Sequence, residues 1–268
     1  MRLERLQQLY GIEGKIAVIT DSGGLSSKDV GPVLADAGAT VIIADRDTAS
    51  ANAIVDQVKA AGGQAQAIPT DIEQEAQVVA LFDQVRKQHG RCDILVNCAG
   101  VNANQPLTET STAIWEEVYS VNIRSTFFCM REAVKLMLEA GKGGRIVSIT
   151  TIGSQRPVLH GNSAYNSSRA AVTLLTKSTA YDYAKDGILA NVILPGAVMG
   201  KTRFHESTLA AMQKGYKLSG SGADPNHLPL GMMKDPTDIG AAVLFLVGPS
   251  AGYITGETLA LDGGFFIA

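Results

Sequence analysis

The chain has 268 residues, 46% of them apolar and 18% charged, with a formal net charge of −3. That balance suits a globular protein with a sizeable core, and it leaves no basic run to hold nucleic acid. No apolar stretch reaches the roughly 20 residues a membrane span needs, and the N-terminal MRLERLQQLYGIEG lacks the apolar core of a signal peptide. Cys92, Cys98 and Cys129 are odd in number and show no CxxC spacing. They read as reduced thiols of a cytoplasmic protein, not as disulfides or metal ligands, and four scattered histidines add no metal site.

Short apolar runs alternate with amphipathic stretches along the chain. Strands are expected over Ile16–Thr20, Thr40–Ala44, Gln66–Pro69, Ile94–Asn97, Arg145–Ile149, Leu189–Leu194 and Thr258–Leu261. Helices are expected over Ser27–Ala37, Thr48–Ala61, Glu73–Gln88, Thr112–Glu139, Ala164–Lys185 and Pro236–Val247. Strands separated by helices, with few hairpin signals, imply βαβ units and a Rossmann-like doubly wound parallel sheet of about seven strands with helices on both faces. Without a repeat or low-complexity linker, residues 1–268 read as one domain. Residues 200–232 break the alternation with Gly215, Gly220, Gly222, Pro225, Pro229 and Gly231, and a loop-rich insertion of that kind reads as a substrate lid.

An open parallel sheet binds its ligand at the carboxyl ends of its strands. The second strand ends VIIAD, which puts Asp45 at its tip. A carboxylate there accepts hydrogen bonds from adenosine ribose hydroxyls and repels a 2′-phosphate, so it favours NAD over NADP; the alternative is a solvated strand end, and Arg46 softens the discrimination. The third strand leads into Thr70, Asp71 and Ile72, where Asp71 can reach an adenine amino group or, like Thr70, cap the next helix. The fourth runs into Asn97, Cys98, Ala99 and Gly100, small enough to let the backbone approach a ligand. Tyr165 and Arg169 stand at i and i+4 and share a helix face. A guanidinium beside a phenol favours the phenolate and fits the tyrosine for general acid–base work, although such a pair in isolation is more often surface packing. About 14 residues upstream, Thr150 or Thr151 offers a hydroxyl to polarise a carbonyl.

Taken together, this pattern resembles the short-chain dehydrogenase/reductase family over nearly the whole chain, from Lys15 to Gly264. The matching pieces are Asp45, NCAG at 97–100, VNIRSTF at 121–127, RIVSITT at 145–151, YNSSR at 165–169, LPG at 194–196 and TGETLALDGG at 255–264. The resemblance implies hydride transfer between NAD(H) and a secondary alcohol or ketone. It makes Tyr165 the proton donor and acceptor, gives Thr151 the family's serine position and Arg169 its lysine position, and has Asn122 kink its helix to hold a water relay. It assigns the cofactor to Asp21, Ser22, Gly24, Leu25, Ser26, Asp45, Asp71, Ile72, Asn97, Ala99, Gly100, Tyr165, Arg169, Pro195, Gly196 and Val198. It also implies a homotetramer or homodimer, for which the apolar helix segment Ala170–Leu175 and the terminal GGFFIA offer surfaces; intrachain packing is the alternative for Phe265 and Phe266.

Three departures weigh against a simple transfer of activity. Arginine replaces lysine at 169, and it is bulkier and effectively never deprotonated. Threonine replaces serine at 151, a mild change. In TDSGGLSS, residues 20–27, the family's three loop glycines fall on Asp21, Leu25 and Ser27. A helix N-terminus, the hydroxyls of Ser22, Ser26 and Ser27, and the freedom of Gly23 and Gly24 still suit an anion. The alternative is a divergent member without redox turnover: a lyase, an isomerase or a binding protein. The lid mixes Phe204, Met212, Tyr216 and Leu218 with Lys201, Arg203, His205 and Lys217. That mixture suits a polyol or sugar derivative as well as an apolar ketone or steroid, with His160 and Asn162 facing the pocket or packing a turn.

Overall fold

The computed structural model describes residues 2–20, 25–198, 209–210, 212–215 and 227–268. Seven parallel strands form one sheet: β1 Ile16–Thr20, β2 Thr40–Asp45, β3 Gln64–Pro69, β4 Ile94–Asn97, β5 Gly144–Ile149, β6 Ile188–Pro195 and β7 Thr258–Leu261. Their order is β3-β2-β1-β4-β5-β6-β7, so the direction in which successive strands are added reverses between β1 and β4. A doubly wound sheet gathers its ligand site at that switch point. Each expected strand is present, within two residues at either end.

The helices are α1 Arg2–Tyr10, α2 Leu25–Asp36, α3 Thr48–Ala60, α4 Glu75–His89, α5 Thr112–Tyr119, α6 Ser125–Ala140, α7 Ser163–Tyr183 and α8 Thr237–Val247. Side chains alternate across each strand, and here both faces are apolar because both are covered. Ala17 and Ile19 of β1 point into a core with Val30 and Leu34 of α2, Ile54 of α3 and Val243 of α8. Val18, one step between them, points the other way, into a core with Leu81 and Phe82 of α4 and Cys129 and Met137 of α6.

The expected single helix Thr112–Glu139 is interrupted. A π-helical turn, Ser120–Arg124, separates α5 from α6. Hydroxyls break the α pattern there: Ser125 Oγ donates to the carbonyl of Val121, and Thr126 Oγ1 donates to that of Asn122 at 2.8 Å. The helix expected from Glu73 begins at Glu75. Asp71 first takes the N–H of Glu73 at 3.1 Å in a local turn, and the N-cap is Gln74, not Thr70 or Asp71. The expected Ala164–Lys185 helix is α7, and residues 184–186 tighten into a 3-10 turn that stops at Gly187, φ 74°. Helix α1 was not expected at all.

Close approach of α2 to the sheet is served by Gly31, which sequence reading passed over. A Cβ there would stand 3.1 Å from Ile54 Cγ2 and 3.5 Å from Ile43 Cδ1. Of the chain end, Phe265 is fully buried against Ile152, Val192, Leu194 and Leu228. Packing within the chain therefore accounts for Phe265, contrary to the expectation that the terminal pair serves association. Ile267 remains 90% exposed.

Candidate active site

Helix α7 carries Tyr165 and Arg169 one turn apart on the face turned to the strand ends. Arg169 is buried at the carboxyl ends of β4 and β5, beside the switch point. Its Nη1 donates to the carbonyl of Ala99 at 2.6 Å, and its Nη2 donates to the carbonyl of Ile149 at 3.0 Å. One planar fork thus joins the ends of β4 and β5, which a single ammonium on a thin stem does less well. The guanidinium carbon lies 5.7 Å from the Tyr165 ring centroid, within cation–π range. It also lies against Gly100, where a Cβ would meet Nη2 at 2.7 Å. The small residue in NCAG therefore makes room for the arginine itself.

Asn122 sits inside the π-helical turn and is wholly buried. Its Oδ1 takes the N–H of Val101 at 2.8 Å, while Nδ2 donates to the Val101 carbonyl at 3.0 Å and to Ser168 Oγ at 2.8 Å. Ser168 in turn donates to the Tyr165 carbonyl at 2.8 Å. The expected kink and the asparagine coincide, but the Asn122 backbone carbonyl already accepts from Thr126. Its carboxamide locks the loop after β4 to helix α7.

Thr151 follows β5, and its Oγ1 accepts the N–H of Gly153 at 3.2 Å. A hydroxyl has two lone pairs and one hydrogen, so its donor is not consumed by that bond. The neighbouring Thr150 is buried, and its Oγ1 has no partner among the described residues.

On the other side of the switch point, Asp45, Arg46, Asp71, Ile72 and Glu73 line one small recess. Asp45 is buried and accepts the N–H of Asp47 at 2.7 Å. Arg46 is paired with Glu73 at 3.3 Å, and Glu73 also takes the Ser120 hydroxyl at 3.0 Å. Ile72 packs its side chain into the core beside Ile42 and Ile68. Asn97 is buried at the end of β4; its Nδ2 donates to Ser148 Oγ at 3.4 Å, and its Oδ1 has no partner among the described residues.

Pro195 ends β6, and Gly196 lies so close to β7 that a Cβ would stand 2.9 Å from the Asp262 Cα. Val198 forms a parallel bridge with Met233, which brings together the two ends of the expected lid. Asp21, Ser22 and Gly24 lie outside the described residues, as do 200–208, 211 and 216–226 of that lid. Leu25 and Ser26 are described only as backbone of the first turn of α2.

A family model described as enoyl-(acyl carrier protein) reductase matches residues 28–266. The chain belongs to the short-chain dehydrogenase/reductase family. Its relatives in that family include the 7alpha-hydroxysteroid dehydrogenase of Escherichia coli, 33% identical over 253 residues and 94% of each chain. The 3beta-hydroxysteroid dehydrogenase 2 of Eggerthella lenta is 31% identical over 260 residues, 95% of each. The crystal structure of a gluconate 5-dehydrogenase from Burkholderia cenocepacia in complex with NADP and tartrate superposes with a TM-score of 0.86 at 27% identity, covering 98% of this chain and 99% of that one.

Within this short-chain dehydrogenase/reductase, three groups at the site escaped sequence reading. Ser168 lies inside the quoted YNSSR, but only the fold shows that it meets Asn122. Val101 contributes backbone alone, which no side-chain pattern reveals. Gly153 lies against the Asn166 carboxamide, where a Cβ would meet Oδ1 at 2.4 Å. Among the described residues, no helix is long and apolar enough to cross a membrane, and no three His, Cys, Asp or Glu could hold a metal ion.

Proposed function

We propose that the protein is an NAD-dependent oxidoreductase that interconverts a secondary alcohol and its ketone, with Tyr165 as general acid–base. The observation that carries the reading is the buried Arg169 guanidinium, held 5.7 Å from the Tyr165 ring at the ends of β4 and β5. Arginine keeps its charge at any working pH, so it stabilises the phenolate that remains after the phenol gives its proton to a ketone oxygen. In the oxidation direction the phenolate takes the proton of the substrate hydroxyl. The Thr151 hydroxyl, with a lone pair spent on Gly153, donates to the same substrate oxygen. Asn122 and Ser168 keep the loop after β4 and the helix of Tyr165 in one arrangement.

The residues suit a dinucleotide. A buried strand-tip carboxylate lines the recess between β2 and β3, and Asn97 Oδ1 and Arg169 Nε are buried at the strand ends with no partner among the described residues. Asp45, Asp71 and Ile72 would hold the adenosine half. Asn97, Ala99, Gly100, Tyr165, Arg169, Pro195, Gly196 and Val198 would hold the nicotinamide half, and the segment from Asp21 through Ser22, Gly24, Leu25 and Ser26 the phosphates. When bound, the nicotinamide supplies the hydride acceptor for the substrate carbon. Three carboxylates, Asp45, Asp71 and Glu73, surround the recess against the single guanidinium of Arg46, itself paired with Glu73. That field opposes a 2′-phosphate, which supports NAD over NADP.

Residues 1–268 form one domain on this reading, with a lid over 200–232 and a cytoplasmic setting for three buried, unbridged thiols. The exposed Leu174 (66%) and Tyr181 (88%), one above the other on α7, support a homodimer or homotetramer. The test is reduction of NAD by a panel of secondary alcohols, followed by absorbance of the reduced cofactor. Tyr165→Phe is expected to lower kcat by at least about a hundredfold. A purified protein that shows no calorimetric binding of NAD or NADH overturns the reading.

A further inference from the structure

Among the described residues that line the recess between β2 and β3, Arg46 is the one cation, and it is already engaged. Its Nη1 lies 3.3 Å from Glu73 Oε1. The two partners are held very differently. The Glu73 N–H donates to Asp71 Oδ1 at 3.1 Å, which fixes the backbone at 73. Glu73 Oε2 takes the Ser120 hydroxyl at 3.0 Å. Ser120 opens the π-helical turn, and Val121, the next residue, lines the same recess. The Glu73 side chain is 23% exposed and that of Arg46 57%. The carboxylate is thus the anchored partner, and the long arginine comes to it.

Arg46 follows directly on Asp45 at the tip of β2. A released guanidinium at that place offers a planar fork to a phosphate, and such charge-assisted bonds are among the strong ones. Asp45 opposes a 2′-phosphate by its own charge, but it does not remove the cation that would counter it. Glu73 does, by offsetting that charge and occupying one of its terminal nitrogens. An ion pair half in water holds its partners only a few-fold more often together than apart. Loss of the carboxylate is therefore enough to change which anion the arginine serves.

We infer that Glu73 is a specificity-determining residue for the cofactor: it keeps Arg46 on itself, withholds it from a 2′-phosphate, and so turns the recess toward NAD. The inference rests on the proposed reading of this recess as the adenosine site and is independent of the chemistry at Tyr165. Glu73 acts through Arg46, so its effect on the 2′-phosphate depends on the arginine being present. A carboxylate that only supported the fold would affect both nucleotides alike.

The test is calorimetric titration of the wild type, Glu73→Gln, Arg46→Ala and the double variant with NADH and NADPH, which differ only by the 2′-phosphate. Glutamine keeps the size of the side chain and an oxygen for Ser120, and melting curves check that each variant is folded. The wild type is expected to bind NADH more tightly. Glu73→Gln is expected to raise the ratio of NADPH to NADH affinity about tenfold. In the Arg46→Ala background the same change should raise it less than about threefold, the direct effect of one screened charge. An unchanged ratio in Glu73→Gln, or an equal rise with and without Arg46, overturns the inference and leaves the NAD reading standing. A wild type that prefers NADPH overturns the inference together with the choice of NAD. If neither nucleotide binds, the inference falls with the whole cofactor reading.

Discussion

Gly100→Ala is the most direct probe of the cation at the site. A Cβ at 100 would stand 2.7 Å from Arg169 Nη2, 2.9 Å from Cζ and 3.2 Å from Nη1. A free guanidinium at the end of a long side chain would swing aside at little cost. This one is fastened, with Nη1 on Ala99 and Nη2 on Ile149, at 2.6 and 3.0 Å. Moving it gives up hydrogen bonds from a charged donor, each worth about 1.5–3 kcal/mol. Leaving it in place overpacks the site at about 1–3 kcal/mol. Whichever response is cheaper sets the outcome, so the expected loss is about 1–3 kcal/mol. At about 2–4 °C per kcal/mol for a chain of this size class, the melting temperature falls by about 2–12 °C. Lysine at 169 is thinner near Gly100, so the same alanine in an Arg169→Lys background should cost less by about 1 kcal/mol. Urea unfolding of the wild type, both single variants and the double variant gives this coupling directly. The reasoning is refuted if Gly100→Ala unfolds within about 0.5 kcal/mol of the wild type, or if the two single costs add within that margin.

Asn122→Ala removes the partner of both backbone groups of Val101 and should destabilise by about 2–5 kcal/mol, readable in the same urea experiment. Asp45→Ser takes a carboxylate from the recess and should raise the kcat/KM ratio of NADP to NAD by at least about tenfold in steady-state rates. Burial pushes the thiols of Cys92 and Cys129 up to about 12, so hardly any thiolate exists near neutral pH. Iodoacetamide should leave both unmodified in the native protein and alkylate both in guanidinium chloride, as mass spectrometry of the peptides will report.

The sheet was legible because its strands are covered on both faces. Runs such as ILVN and VIIAD are apolar at every step, and the intervening helices keep a separate period. Asp45 was legible for a related reason, since the carboxyl end of a parallel strand is a place the topology fixes. Helix α1 was not: its leucines do recur at helical spacing, but nine residues are too few to stand as a helix alone, and Leu6, Leu9 and Tyr10 stay exposed and give it no buried face to signal. The break after Tyr119 was expected only through the family resemblance, which has Asn122 kink its helix. The residues around it, SVNIRST, are mostly weak helix formers, but it is the back-bonding hydroxyls of Ser125 and Thr126 that show why the turn widens. At the site, spacing brought Tyr165 and Arg169 to one face but said nothing of where the guanidinium ends. Its two carbonyl partners are 70 and 20 residues away in sequence. Contacts of that kind, from side chain to distant backbone, leave no mark on the pattern of residue types.

Those two carbonyls also decide how the exchange of lysine for arginine should be understood. An ammonium has three donors around one nitrogen and can turn between partners, and it can give up its proton when its surroundings demand it. The guanidinium at 169 does neither. It is planar, it stays charged, and each terminal nitrogen is spent on the end of a different strand. Its effect on Tyr165 is therefore that of a fixed positive field, while its mechanical effect is to hold the ends of β4 and β5 at one separation beside the switch point. Asn122 does the corresponding work one step along the loop, through Val101 and Ser168. Substituting lysine for the arginine keeps the unit charge but changes its place and the spacing together, and kinetics on Arg169→Lys alone do not separate the two. Gly100→Ala with the arginine kept supplies the missing comparison, because it crowds the site at 2.7 Å from Nη2 without changing the cation itself.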